Sequence, residues 1–166
     1  MEKKIPNSEL IPNAVSSERG IVQLYRTDET SEIASLHQRY DSYFESKIFT
    51  SIDVETITPD SVIEKYDISC VDFMKMDIEG HELDALKGAT KSLEKQIIKA
   101  FSFEFGSGNI NSRTFFRDFW NLLYPLKYQI YRILPSSRLM PIKEYYEDCE
   151  YLRGVTNYIA VLDDTA

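Results

Sequence analysis

No stretch of this chain approaches the roughly 20 consecutive apolar residues that cross a bilayer as a helix. Its opening, "MEKKIPNSEL", has a basic start without the apolar core of a secretory signal. Cysteine is scarce. Cys70 and Cys149 stand far apart, in no CxxC or Cys/His spacing, which excludes a disulfide-stapled mini-domain and a cysteine-rich zinc site. A single disulfide between them is open on sequence alone, and two free thiols in a reducing compartment is the favoured reading. Positive charge is short as well: 19 Lys and Arg face 27 Asp and Glu, a net charge of −8. Such a chain lacks the basic face that general nucleic-acid or anionic-membrane binding requires. Glycine numbers only 6, and "FGSG" alone sets two of them close together. There is no internal repeat and no low-complexity segment. These absences predict a cytoplasmic protein with neither nucleic acid nor membrane as partner; they say nothing of its oligomeric state.

What is present is an ordinary globular composition, 43% hydrophobic and 13% aromatic over 166 residues, enough for one domain with a substantial core. "ELIPNAVSSERGIVQLYRT" reads as two strands, about 9–15 and 21–26, forming a hairpin around "SSERG" with Gly20 at positive φ. Residues 27–46 are polar and aperiodic, a long loop with at most a short helix. "KIFTSIDVETIT" predicts a strand at about 48–57, and "TPDSVIEKYD" a short helix capped by Thr58 with Pro59 in its first turn. A buried strand at 70–76 follows, then a helix with Leu83, Leu86, Ala89 and Leu93 on one side. Gly88 within that helix costs about 1 kcal/mol relative to alanine, and a close helix–sheet approach accounts for it. Further strands are expected at 97–104, 128–134 and 156–162. Ser112 is expected to cap a helix whose apolar face carries Phe115, Phe116, Phe119, Trp120, Leu122 and Leu123 as core, and a helix is conceivable at 141–147. Alternating strands and helices from residue 48 onward indicate an α/β layered sheet with mainly parallel strands.

The densest chemistry lies in "VDFMKMDIEGHELDALKGA", where Asp77, Glu79, His81 and Glu82 fall within six positions as a strand gives way to a helix. In open α/β sheets ligands bind outside the carboxyl ends of the strands. Asp77 and Glu104 both stand at such ends, on strands joined by one right-handed crossover, so they should be neighbours. Lys75, if buried in its strand, needs a carboxylate partner, and Glu104 is well placed. His81 could act as a general base with an ordinary pKa near 6.5, or be a half-exposed first-turn residue; Glu82 suits the helix start. His37 has no evident partner. Asn157, opening the last strand, suits either the crevice or a turn. Asp77, Glu79 and Glu104 are hard oxygen donors of the kind that hold Mg²⁺, but their spacing does not define such a site and no metal ligands are assigned.

"DFMKMDIEGHELDALKGA" closely resembles the signature of FkbM-type S-adenosylmethionine-dependent methyltransferases, and the likeness continues through "FSFEFGSGNINSRTFFRDFW", "YQIYRILP" and "TNYIAVL". Upstream, "IPNAVSSERGIVQLYR" looks like that family's third strand and a hairpin extension. The resemblance implies a Rossmann-like methyltransferase sheet and methyl transfer to a hydroxyl of a sugar or secondary metabolite, with a small-molecule or glycan acceptor. It implies catalytic roles for Asp77, Glu79, His81 and Glu104, and cofactor contacts at Asn13, Ala14 and Asp77. The family's first strand and its glycine-rich turn, and the second strand ending in an acidic residue, find no match here. The expectation is therefore a single partial domain, the C-terminal portion of the fold lacking its first two strands. It divides into a hairpin region at 9–57 and an α/β core at 58–166, with most of the cofactor-binding motif missing. The rival expectation is a non-catalytic α/β interaction domain derived from a methyltransferase; a metal-dependent hydrolase lacks the histidines it would need.

Overall fold

The computed structural model describes residues 7–27, 34–40, 48–150 and 154–163. The chain begins with strands β1 (Ala14–Val15), β2 (Ile21–Arg26) and β3 (Thr50–Ile57). These form a small sheet in the order β1-β3-β2, with β1 parallel and β2 antiparallel to the central β3. The expected hairpin of strands 9–15 and 21–26 is thus corrected: the two do not pair with each other. The reason lies in the "SSERG" loop, which wraps around the end of β3 instead of folding back as a tight turn. Ser16 N donates to Ile57 O, Thr56 N donates to Gly20 O, and the Thr56 hydroxyl donates to Glu18 O at 2.8 Å. These bonds set β1 and β2 on opposite edges of β3. Gly20 is not among the positive-φ residues.

Helix α1 (Pro59–Lys65) starts as its sequence dictates, with the Thr58 hydroxyl accepting from Ser61 N and Pro59 in the first turn. Strand β4 (Met74–Lys75) leads through the acidic turn into α2 (Glu82–Lys87) and α3 (Thr90–Glu94). The Asp60 carboxylate accepts from Lys91 N, Ser92 N and the Ser92 hydroxyl, clasping α1 to the start of α3. Gly88 separates the two helices, and a Cβ there would lie 2.2 Å from the Ser16 carbonyl oxygen. The expectation at Gly88 is corrected in part: a close approach exists, but to the loop after β1 instead of a sheet, and Gly88 ends α2 instead of lying within one helix.

Then come β5 (Ala100–Phe105), α4 (Ser107–Ser112), α5 (Phe116–Leu123), β6 (Tyr128–Ile133), β7 (Leu139–Ile142) and β8 (Thr156–Leu162). They build a five-stranded sheet in the order β4-β5-β8-β6-β7. Within it only β4 and β5 pair in parallel, while β5–β8, β6–β8 and β6–β7 are antiparallel. The mainly parallel sheet expected from the element order is corrected accordingly. After β6 the chain reverses through a tight turn with Ser137 at φ 62°, so β7 is a hairpin partner, and β8 inserts between β5 and β6 from the opposite end. The strand expected at 70–76 shrinks to two residues plus a Val71–Ile98 bridge, because β4 is an edge with a partner on one side only. Ser112 closes α4 instead of capping α5; the α5 start is held by the Asp118 carboxylate accepting from Phe115 N. No α-helix forms at 141–147: β7 takes its first two residues, and a 3-10 turn at Glu147–Glu150 begins at its last.

Alternation in β5 sends Phe101, Phe103 and Phe105 inward, all fully buried or nearly so, against Phe116 and Phe119 of α5 and Tyr158 of β8. Phe103 stacks on Phe119 with ring centroids 4.6 Å apart. Of the expected aromatic face, Phe116, Phe119 and Leu123 are buried while Phe115 is exposed. Leu86, Ala89 and Leu93 join the same core. The other face of β5 is only half-buried and carries Glu104. Both cysteines are free, Cys70 exposed and Cys149 buried. Among the described residues no helix is long and apolar enough to cross a membrane.

Candidate functional site

The site is built on a turn with two consecutive left-handed residues, Glu79 at φ 54° and Gly80 at φ 97°. A non-glycine residue in this region is uncommon and is held there by its surroundings. The Ser35 hydroxyl donates to the Glu79 carbonyl at 3.0 Å, and Arg39 Nη1 reaches Glu79 Oε2 at 3.2 Å. Arg39 is buried, and its Nη2 donates to the Ser107 hydroxyl at 2.8 Å, so one guanidinium ties the turn to the start of α4. Backbone packs on backbone at the same place: a Cβ on Gly80 would meet Gly108 atoms at 2.5–2.9 Å, and one on Gly108 would meet Glu79 at 2.9 Å. Of the "FGSG" pair, Gly108 thus seats the α4 start on the acidic turn, while Gly106 packs against Val155.

Carboxylates gather on the open side. The β4–β5 register, Met74 with Phe101 and Lys75 with Ser102, carried two residues further sets Asp77 across from Glu104. Burial raises the Glu104 pKa, and the nearby charges of Asp77 and Glu79 raise it further, against a lowering by Lys75 and the Asn157 side chain. Lys75 is exposed and pairs with Asp77 instead of Glu104; the buried-strand argument fails because β4 is an edge. Such an exposed pair is screened by solvent and contributes little to stability. Glu82 is the opposite case, fully buried. Its Oε1 accepts from Ile78 N at 3.3 Å, while Oε2 has no hydrogen-bond partner. Desolvation pushes its carboxyl up to about 7.

His81 precedes α2 as its N-cap residue and is buried, not half-exposed. Its Nε2 lies 3.0 Å from the Ser16 hydroxyl and its Nδ1 3.2 Å from His37 Nε2, giving His37 the partner its sequence context did not suggest. Burial lowers the pKa of both imidazoles, against a raising influence from Asp84. His81 also lines a cleft of about 340 Å³ between the small sheet and the acidic turn. Pro12, Asn13 and Ala14 form one wall and Ser35 and Leu36 another, with Asp77 and Ile78 at the strand end.

The structure therefore brings Asn13, Ala14, Asp77 and His81 to one cleft. Glu79 turns away to Arg39, and Glu104 stands beside Asp77 on the next strand. Ser16, Ser35, Arg39 and Ser107 were not legible as site residues. Only Asp84, three residues after His81 on the helix, carried a spacing signal. Comparison with known proteins is in keeping with the mixed α/β fold. The profile described as the methyltransferase FkbM domain matches residues 3–133, and the chain belongs to that family. No curated protein and no solved structure matches the chain.

Proposed function

We propose that this chain carries the acceptor-facing residues, and part of the cofactor-facing residues, of an S-adenosylmethionine-dependent methyl transfer to a hydroxyl of a sugar or secondary metabolite. The observation that carries it is one cleft lined by Asn13, Ala14, Asp77 and His81, drawn from two separate parts of the sequence. The sheet supports a Rossmann-like methyltransferase reading: β4 and β5 are parallel and β8 lies antiparallel between β5 and β6. The cleft fits part of the cofactor. Its volume is at the lower end of the roughly 300–1,000 Å³ of small-molecule sites, with apolar walls at Val15, Leu24 and Val54 and a carboxylate at Asp77. When bound, S-adenosylmethionine supplies an electrophilic methyl group on a sulfonium.

What the chain contributes is position and proton acceptance. Asp77 sits at the end of β4, free of any deep burial, where its carboxylate can bind an ammonium or orient a hydroxyl for in-line attack. Glu104, its pKa raised, can hold an acceptor hydroxyl on the same side. His81 is neutral enough to accept a proton, but Ser16 and His37 already occupy its two ring nitrogens. Asp77 is therefore the residue on which transfer depends most. The sequence offers no glycine-rich turn for the methionine end, so binding by the chain alone should be weak. Titrating millimolar S-adenosylmethionine into labelled protein should shift the amide signals of Asn13, Ala14, Asp77 and His81, while calorimetry finds no micromolar affinity. Cleft signals that stay fixed would remove the reading.

A second reading is a non-catalytic interaction domain. It is favoured by an apolar groove of about 270 Å³ beside β4, lined by Val15, Ile57, Val62, Met74 and Ile78. A chain that neither binds the cofactor nor shifts at the cleft would decide for it.

A further inference from the structure

We propose that His37, His81 and Asp84 form a binding site for one divalent transition-metal ion of the zinc class, with an open position on the wall of the cleft. The three residues come from two segments, and one donor atom from each lies within 4.8 Å of the others. His37 Nε2 and His81 Nδ1 are 3.2 Å apart, and His81 Nδ1 is 3.6 Å from Asp84 Oδ2. Bonds of about 2.0–2.1 Å in a tetrahedral arrangement put neighbouring donors about 3.3 Å apart, and these two pairs already stand within a few tenths of an ångström of that spacing.

The surroundings prepare the donors. Ser16 stands 3.0 Å from His81 Nε2, and a proton on that nitrogen leaves Nδ1 with its lone pair toward the cluster, the outer-shell contact metal-binding imidazoles use. In that tautomer two electron-rich atoms, Nδ1 and the Asp84 carboxylate oxygen, face each other at 3.6 Å. A cation between them satisfies both. Lys87 holds the other oxygen, Asp84 Oδ1, at 2.8 Å, which orients the carboxylate and leaves Oδ2 for the ion. The His37 side is fixed through Ser35, whose hydroxyl accepts from His37 N and donates to the Glu79 carbonyl.

Two imidazoles and one carboxylate suit zinc, cobalt or nickel and do not suit magnesium or calcium, which take oxygen donors. Three protein ligands leave a fourth position for water or a hydroxyl oxygen. His81, Ser35 and Leu36 all line the cleft, so that oxygen would be at its wall. The site stands independently of whether the cleft takes S-adenosylmethionine.

The test is a zinc titration of the metal-stripped chain against a chromophoric chelator, with bound metal counted by elemental analysis. One zinc per chain is expected, undisturbed by millimolar magnesium. His37→Ala and Asp84→Asn should each weaken binding by about 100-fold or more, with circular dichroism confirming the fold. The Asp84 side chain is 30% exposed, so Asp84→Asn tests the site even if His37→Ala does not fold. Absence of stoichiometric zinc, or wild-type affinity in Asp84→Asn, would overturn the proposal. So would a thiolate charge-transfer band in the cobalt form, which would place the ion on a cysteine.

Discussion

Replacing Glu82 by glutamine isolates the one carboxyl, among the described residues, that is completely buried beneath the acidic turn. In the folded chain Glu82 keeps its proton up to about pH 7, whereas its ordinary value is 4.5. Between these values the folded state binds more protons than the unfolded one, so stability falls as pH rises. Below 4.5 both states are protonated and there is no penalty; above 7 the penalty is complete. The difference between the two values corresponds to about 3 kcal/mol. Glutamine keeps an acceptor for Ile78 N but sets an NH₂ group where Oε2 has no partner, a cost of about 1–3 kcal/mol at every pH. Glu82→Gln should therefore be less stable than wild type at pH 4.5 and equal to it or more stable at pH 8. The wild-type-minus-variant difference should change by about 3 kcal/mol across that interval. Urea unfolding of both proteins at half-unit pH steps measures this directly. Parallel stability profiles would show that Glu82 is not buried as a neutral acid, and would refute the reasoning.

Gly80→Ala should cost about 3 kcal/mol or more, because φ 97° and the Gly108 backbone at 2.5 Å leave no place for a methyl group; a loss below about 1 kcal/mol in urea would contradict it. Phe119→Ala removes the ring stacked on Phe103 in a fully buried site and should cost about 3–5 kcal/mol, read as a lower urea midpoint with unchanged slope. In a transfer assay with labelled S-adenosylmethionine on a full-length protein with the cofactor-binding turn restored, Asp77→Asn should reduce the rate by about 100-fold and His81→Ala by less; a larger loss for His81→Ala, with a flattened pH profile, would make His81 the base.

The elements legible in the sequence were those whose signal is local. Thr58–Pro59 encodes a helix start by capping chemistry, found where expected, and the strand expected at 97–104 was found at Ala100–Phe105, with Phe101, Phe103 and Phe105 alternating inward. The Asp77–Glu104 neighbourhood was legible too, because a single crossover dictates it. Strand direction was not. Nothing in "TNYIAVL" tells whether it enters the sheet from one end or the other, and β8 enters antiparallel. The pairing of β1 and β2 failed for a different reason. "SSERG" is an adequate tight-turn sequence, and only the hydrogen bonds it makes to the end of β3 divert it.

The candidate site divides along the same line. Its acidic cluster is contiguous in sequence and was visible at once, but contiguity hid that the four residues occupy different environments. Asp77 is exposed at a strand end, Glu79 is turned back onto Arg39, and His81 and Glu82 are buried. What separates them is the left-handed step at Glu79 and Gly80, which no side chain there enforces. It is enforced from outside, by Ser35 and Arg39 in a polar stretch with no periodicity, and by Gly108 beyond the next strand. A stretch without a helix or strand pattern reads as a loop because its pattern lies in contacts to distant backbone, and those exist only once the chain is folded. Residues 34–40 are therefore part of the site, since without them the turn has no reason to hold its shape.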